Sequence, residues 1–249
     1  MDFSLVFFAA AVPAVLLAGV SKGGFETAGG IAAAPLLALV IDPRLAVGLM
    51  LPLLMLMDVA SLRAYWRRWS WPEARTLMTG AIPGVAVGWA LFGAISADGV
   101  RLMIGLLAVG FVAYNLARRV GLLGIARSQP LGAGLLWGSL AGFTSFVGHA
   151  GGPPAAFYLL GRRLEKTPFQ ATSVLTFWWI NLIKFPLYVA LGMFSADTAW
   201  ATAMLAPVGI IGVAVGVWAH RRVSEIWFFG ITYTLLLVTG VKLIVDALR

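Results

Sequence analysis

The chain has 249 residues, of which 61% are hydrophobic and 11% charged, and its mean hydropathy is +0.93. A soluble domain carries about 25% charged residues, so this composition predicts an integral membrane protein. The net charge of +8 does not indicate nucleic-acid binding, because the basic residues lie between apolar segments, as they do in cytoplasmic loops. With no cysteine and only two histidines, the chain offers no typical zinc site, and we predict no metal or other cofactor.

The apolar segments predict an all-α membrane fold. A helix needs about 20 apolar residues to cross the bilayer. Six uninterrupted segments come close to or exceed this length: 45–62, 76–95, 99–117, 169–193, 198–219 and 228–247. Two further apolar regions, 3–41 and 131–161, are each interrupted by glycines. Only Asp2 precedes the first apolar run, so we expect no cleaved signal peptide.

Basic residues between the segments indicate how the interrupted regions fold. They cluster at 63–75, 118–127, 162–166 and 221–222. All these clusters can face the cytoplasm only if each interrupted region is a helical hairpin, and the excess of Lys and Arg in cytoplasmic loops favours that arrangement. The prediction is five helical elements in each half, with both termini outside the cytoplasm.

Short sequence matches relate residues 1–120 to residues 131–249. The matches are Ala18-Gly19 with Ala141-Gly142, Gly29-Gly30 with Gly151-Gly152, Ala46-Val47 with Ala171-Thr172, and Gly84–Gly88 with Gly212–Gly216. Their common order indicates an internal duplication. An odd number of elements in each half would invert one copy relative to the other, an architecture common in transporters, whose substrate site lies between the copies near the midplane.

The first interruption, residues 20–30, combines glycines with a lysine and a glutamate. Irregular backbone at membrane depth is tolerated only where protein or a water-filled cavity satisfies it. We predict that Lys22 faces a cavity and holds an anion near the amides of the following helix, because a helix N-terminus carries a partial positive charge. Glu26 would balance Lys22 in the empty site; an exposed loop is the alternative. The candidate binding residues here are Ser21, Lys22, Gly23, Gly24, Gly29 and Gly30.

The second interruption, residues 142–154, contains a histidine and two prolines. Proline is favoured in the first turn of a helix, so Pro153 and Pro154 predict that a helix begins there, with glycine amides before it. His149 either caps the preceding helix or donates to a substrate and titrates during transport. The candidate binding residues are Thr144, Ser145, His149, Gly151 and Gly152.

Polar residues inside two apolar segments complete the candidate site. Asn181 and Lys184 are three residues apart and share one face of a helix. An ionisable residue at this depth is a functional candidate. Asp58 has a comparable depth in segment 45–62, where it either pairs with a basic residue such as Lys184 or serves as a site for a coupling proton.

Several of these motifs resemble the TauE/SafE family of membrane transporters over nearly the whole chain. The resemblance is carried by residues 18–25 (AGVSKGGF) with Gly29-Gly30, by residues 46–49 (AVGL) with the Asp58 helix, and by residues 171–173 (ATS) with residues 181–184 (NLIK). It implies a carrier in the bacterial inner membrane that exports sulfur-containing anions such as sulfite, sulfoacetate or other organosulfonates.

The sequence therefore predicts a secondary transporter that works by alternating access, with Lys22 and Lys184 supplying positive charge. No GxxxxGK[ST] motif is present, so ATP would not drive transport directly. An anion channel is one alternative; an intramembrane enzyme is another, although the chain has no HExxH or GxSxG motif. We expect a small anion and the lipid bilayer as partners and no nucleic acid, and we leave a homodimer open.

Overall fold

The described part of the chain is entirely helical. The structure is a computed structural model that describes residues 4–25, 29–122, 129–220, 222 and 225–249. These residues form ten α-helices and no strand: α1 Leu5–Gly24, α2 Gly29–Leu37, α3 Pro43–Ala64, α4 Trp71–Ala94, α5 Ala97–Arg119, α6 Ala133–Gly148, α7 Gly152–Gly161, α8 Lys166–Ala190, α9 Ala196–Ala219 and α10 Glu225–Ala247. Seven of the helices are long and apolar enough to cross a membrane. The predicted all-α membrane fold is confirmed.

Each interrupted region is a helix followed by a half-length helix. At 1.5 Å per residue, the nine residues of α2 and the ten of α7 extend about 14 and 15 Å, half of the hydrocarbon core. α2 packs against α1, and α7 packs against α6, so each region is a hairpin. α6 ends where His149 adopts a left-handed conformation with φ of 55°, and α7 begins at Gly152 with proline in its first turn.

Several helices extend further towards the basic loops than their apolar segments predicted, and α4 and α8 are two examples. α4 begins at Trp71 instead of 76, with Pro72 in its first turn. α8 begins at Lys166 instead of 169 and ends at Ala190 instead of 193, where Gly192 has a φ of 67°. Charged residues such as Glu73 and Lys166 occupy these first helical turns, which a search for apolar residues excludes.

Helices of one half pack extensively against helices of the other half. α1 packs most extensively against α9, and α6 against α4. A Cβ atom on Gly19 would lie 2.5 Å from Gly209 O, and one on Gly84 would collide with Ser139 O. Small residues permit this close approach of helices. The inverted orientation of the halves in the membrane stays a prediction.

The centre of the molecule is formed by α3 and α8. α3 is the most buried of the seven long helices, and it packs against α8 as well as against α9 and α1. Leu49, Met50, Leu53 and Met57 of α3 lie in the main hydrophobic core with no exposed surface. Polar side chains on the facing surfaces of α3 and α8 are thereby removed from solvent.

Candidate functional site

An ion pair joins the end of α1 to the middle of the molecule. Lys22 lies in the last turn of α1, and its Nζ is 2.9 Å from Asp58 Oδ1 on α3. Asn181 of α8 donates through Nδ2 to the other carboxylate oxygen, at 2.7 Å. Asp58 has no exposed surface and Lys22 is 4% exposed. One carboxylate therefore connects α1, α3 and α8.

Lys184 joins α8 to the second broken region. Its Nζ donates to Ser145 O at 2.7 Å, and it also lies 3.0 Å from His149 Nδ1, 3.3 Å from Ser145 Oγ and 3.4 Å from Asn181 Oδ1. Lys184 has no exposed surface. An ammonium group has three donors and no acceptor, whereas a neutral amine also has a lone pair to satisfy. Because all these neighbouring atoms can accept, they fit the charged form of Lys184.

The position of His149 assigns its tautomer. Its Nδ1 faces the Lys184 ammonium and must therefore accept, while its Nε2 lies 2.9 Å from Val47 O and must donate. The imidazole is neutral in this arrangement. His149 thus links α6 to α3, in addition to ending α6 through its backbone.

These contacts form a continuous polar network from the first broken helix to the second. Within the described residues it contains the amino groups of Lys22 and Lys184 and the carboxylate of Asp58. Among the described residues, no carboxylate lies within ion-pair distance of Lys184. A buried charge without a counterion is costly, so Lys184 is a candidate for binding a negatively charged group. The described residues contain no His, Asp and Glu cluster that could hold a metal ion.

The glycines and the hydroxyl of the first break have local roles. Ser21 Oγ donates to Phe25 O at 3.0 Å, at the end of α1. Gly23 O accepts from Tyr65 at 2.6 Å, and Gly24 O bonds to His220 Nδ1 at 2.9 Å. Both glycines also pack against the backbone of α9. Gly29 and Gly30 begin α2, and Glu26 lies outside the described residues.

In the second break, Ser145 and His149 join the network but Thr144 does not. Thr144 Oγ1 donates to Leu140 O of its own helix at 2.8 Å, as threonines in membrane helices commonly do. A Cβ atom on Gly151 would lie 2.6 Å from Ala141 O, so this glycine permits close packing of the hairpin. Gly152 is the first residue of α7.

The partner of Asp58 differs from the one considered from the sequence. Asp58 pairs with Lys22, and Lys184 reaches Asp58 only through Asn181. The cause is the packing of α1 on α3, which brings residues far apart in sequence together.

Two buried polar residues of the site were missed by the sequence analysis. Gln170 donates through Nε2 to Lys22 O at 2.9 Å, and Ser61 has no exposed surface and no hydrogen-bond partner for its hydroxyl in the described part of the chain. Gln170 lies eleven residues before Asn181, and Ser61 lies three after Asp58. Helical spacing would have placed each on the same face as a residue already selected.

Equivalent residues in the two halves are separated by a constant 123 positions in this network. The pairs are Lys22 and Ser145, Asp58 and Asn181, Ser61 and Lys184, and Tyr65 and Tyr188. Tyr65 donates to Gly23 O, and Tyr188 donates to Phe146 O, so donor and acceptor both keep this offset. The register differs by two residues from the match of Ala46-Val47 with Ala171-Thr172. The contacts of α3 and α8 therefore favour a duplication in the 123-residue register.

Fold and site together define a multi-pass membrane protein with a buried network of polar and charged side chains between two broken helices. The family model of the sulfite exporter TauE/SafE matches residues 11–243. The chain belongs to this family of membrane transporters, which confirms the resemblance found in the sequence. Comparison with curated proteins and with solved structures gives no significant match.

Proposed function

We propose that the protein is a secondary transporter that exports small sulfur-containing anions, such as sulfite, sulfoacetate or other organosulfonates, across the bacterial inner membrane. The observation that carries the proposal is Lys184, a buried ammonium that is surrounded by neutral acceptors. The cargo and the direction rest on the description of the family. The basic loops support an orientation with both termini in the periplasm.

In this proposal an anion binds between the two breaks. Lys184 and Lys22 attract it, while Ser61, Ser145, His149 and Asn181 offer neutral hydrogen bonds. The amides at the starts of α2 and α7 contribute the partial positive charge of helix N-termini. The anion would replace some of the acceptors that now surround Lys184. These acceptors would bond to Lys184 again when the substrate leaves, so the lysine can stay charged in the empty site.

The closed state of the network supports a carrier mechanism over an open channel. Val47 and Asp58 are eleven residues apart on α3, so the contacts between them extend about 16 Å along the helix axis. Lys22, Ser145 and Lys184 are buried along this path, as is His149, at 8% exposed. In an open pore these groups would be in contact with water. Alternating access would expose them first to one side and then to the other.

The test is anion flux in proteoliposomes that contain the full chain. Lys184→Met keeps a side chain of similar length without the charge; because it leaves Ser145 O and Asn181 Oδ1 without this donor, thermal unfolding must first show that the variant is folded. We expect saturable flux of sulfite and sulfoacetate in the wild type and only background flux in Lys184→Met. The matched control is Lys242→Met, since Lys242 is 60% exposed and pairs with Asp246; it should retain wild-type flux.

Three outcomes would contradict the proposal in whole or in part. Flux in Lys184→Met equal to that of the wild type would show that Lys184 does not hold the anion. Single-channel currents in place of saturable flux with counterflow would identify a channel. If the wild type transports no sulfur-containing anion at all, the proposed cargo is wrong.

A further inference from the structure

Arg44 is a half-buried arginine in the first turn of α3. The other end of α3 leads into the basic cluster at 63–75, which is predicted to be cytoplasmic, so Arg44 is predicted on the outer side of the membrane. Val47, whose carbonyl oxygen contacts His149, follows three residues later, about 4.5 Å along the helix axis. Arg44 is therefore about one helical turn from the outer end of the buried network.

The guanidinium of Arg44 has an incomplete set of hydrogen bonds. Its Nη2 donates to Ile95 O at the end of α4, whereas its Nε is buried and has no hydrogen-bond partner in the described part of the chain. No carboxylate among the described residues lies within ion-pair distance of Arg44, and Asp42 instead accepts from its backbone N–H. The Nε and Nη2 donors lie on one edge of a guanidinium, where they can bind two oxygens of the same oxyanion. A single carbonyl oxygen satisfies only one of them.

Three buried aromatic rings connect Arg44 with Lys184. The guanidinium carbon of Arg44 lies 5.9 Å from the ring centre of Phe92. Phe92 packs edge-to-face on Phe146, which packs edge-to-face on Tyr188. The ring of Tyr188 lies 5.3 Å from Lys184 Nζ, and none of the three rings is more than 1% exposed. An anion that moves from Lys184 to Arg44 along these contacts therefore requires the rings to separate.

We propose that Arg44 is a second anion-binding group, which binds the sulfonate or other oxyanion group of the cargo on the outer side of the three rings. The inference rests on the proposed function, in which Lys184 binds the anion first. During export the anion would leave Lys184, pass the separated rings and bind to Nε and Nη2 of Arg44, which would release Ile95 O. The Nε donor then gains an acceptor, so anion binding removes the cost of a buried donor without a hydrogen bond.

The test uses the absence of cysteine from the chain. Ile95→Cys places one thiol beside Arg44, and a membrane-impermeant maleimide labels it from the outer side of right-side-out membrane vesicles. Sulfoacetate should slow the labelling, because an anion on Arg44 covers the neighbouring thiol. When Arg44→Gln is added, the sulfoacetate concentration that halves the labelling rate should rise about tenfold or more. If Ile95→Cys is not labelled, Ser96→Cys replaces it, since Ser96 is exposed.

Three further variants, each made with the cysteine, separate anion binding from a structural role. Arg44→Lys keeps a donor for Ile95 O but not the edge with two donors, so it should restore protection only in part. Lys184→Met should lose flux but keep the protection; loss of protection would mean that the thiol reports a movement caused by binding at Lys184, and the inference would be wrong. Arg101→Gln is the matched control, because Arg101 is also on the outer side but pairs with Asp98. It should leave the protection unchanged.

Failure of this inference is distinguishable from failure of the proposed function. If the wild type transports no sulfur-containing anion, the proposed function fails. If it transports sulfoacetate, but sulfoacetate gives no protection or protects equally well in Arg44→Gln, only the role of Arg44 is refuted. A lipid phosphate bound to Arg44 would give this second result. Should Arg44→Gln not fold, Arg44→Lys decides the question, since it should still need more sulfoacetate than the protein with Arg44.

Discussion

The first broken region carries its lysine on the broken helix itself, whereas the second receives its lysine from α8. Lys22 of α1 is equivalent to Ser145 of α6, and Ser61 of α3 is equivalent to Lys184 of α8. The lysine and the serine have thus exchanged places between the halves. In the second half the two equivalents contact each other, because Lys184 donates to Ser145 O.

The halves also differ in what stands beside each lysine. Lys22 meets the carboxylate of Asp58, whereas Lys184 meets the amide oxygen of Asn181. The two residues are equivalent and hydrogen-bond to each other. Similar hydrogen bonds therefore hold both breaks, and among the described residues the carboxylate of Asp58 pairs with Lys22 and not with Lys184. This difference is the reason that we propose Lys184 as the group that binds the anion.

Removal of Asp58 should have the largest effect on stability. Asp58→Ala takes the carboxylate from a buried ion pair, which costs about 3–5 kcal/mol of the free energy of unfolding. Asn181→Ala removes a neutral partner and should cost only about 1–3 kcal/mol. Thermal or denaturant unfolding in detergent measures both. Equal losses in the two variants would show that the halves do not differ in charge as described.

A carboxylate placed beside Lys184 should make the second half resemble the first. Ser145→Asp puts a negative charge where Ser145 Oγ now lies 3.3 Å from Lys184 Nζ. We expect anion flux to fall roughly a hundredfold, because the new ion pair competes with the substrate. Asparagine has nearly the same volume as aspartate but no charge, so Ser145→Asn should retain much more flux than Ser145→Asp. If both variants lose flux equally, size and not charge is responsible.

Gly84 of the first half and Gly216 of the second should both be intolerant of a side chain. A Cβ atom would collide with Ser139 O at Gly84 and with Val20 O at Gly216. Gly84→Ala and Gly216→Ala should each cost about 1–3 kcal/mol or more by overpacking. Gly110→Ala is the control, since a Cβ atom there meets nothing within 4 Å. A stable Gly84→Ala variant would contradict the tight contact of α4 with α6.

The sequence predicted the fold well because hydrophobicity and charge specify a membrane protein almost directly. Long apolar segments predicted the spanning helices, and the basic loops predicted the hairpins. The ends of α4 and α8 were missed, because Glu73 and Lys166 lie in their first turns.

The members of the site were partly predictable, but their pairing was not. Lys22, Asp58 and Lys184 stand out because a charged residue in an apolar segment needs a partner. Which partner it finds depends on how helices pack, so the pair of Asp58 with Lys22 could not be read from spacing within one helix. Hydroxyls are ambiguous: Thr144 bonds to its own helix, whereas Ser61 does not.

The equivalent tyrosines should produce the smallest and most local effects. Tyr65 donates to Gly23 O at 2.6 Å, and Tyr188 donates to Phe146 O, so each hydroxyl holds the end of one broken helix. Tyr65→Phe and Tyr188→Phe should each cost about 1 kcal/mol. Hydrogen exchange should rise at the end of α1 in the first variant and at the end of α6 in the second.

The two tyrosine variants should nevertheless differ in transport. The ring of Tyr188 lies 5.3 Å from Lys184 Nζ and stays in place in Tyr188→Phe, so the electrostatic environment of the ammonium is largely kept. Loosening the end of α6 moves Ser145, however, which is a direct partner of Lys184. Tyr188→Phe should therefore weaken anion binding more than Tyr65→Phe does. The reason is that Ser145, in the second break, bonds to Lys184, which has no carboxylate partner in the described part of the chain. Equal binding losses, measured by calorimetry with one sulfonate, would mean that the anion depends on both breaks alike.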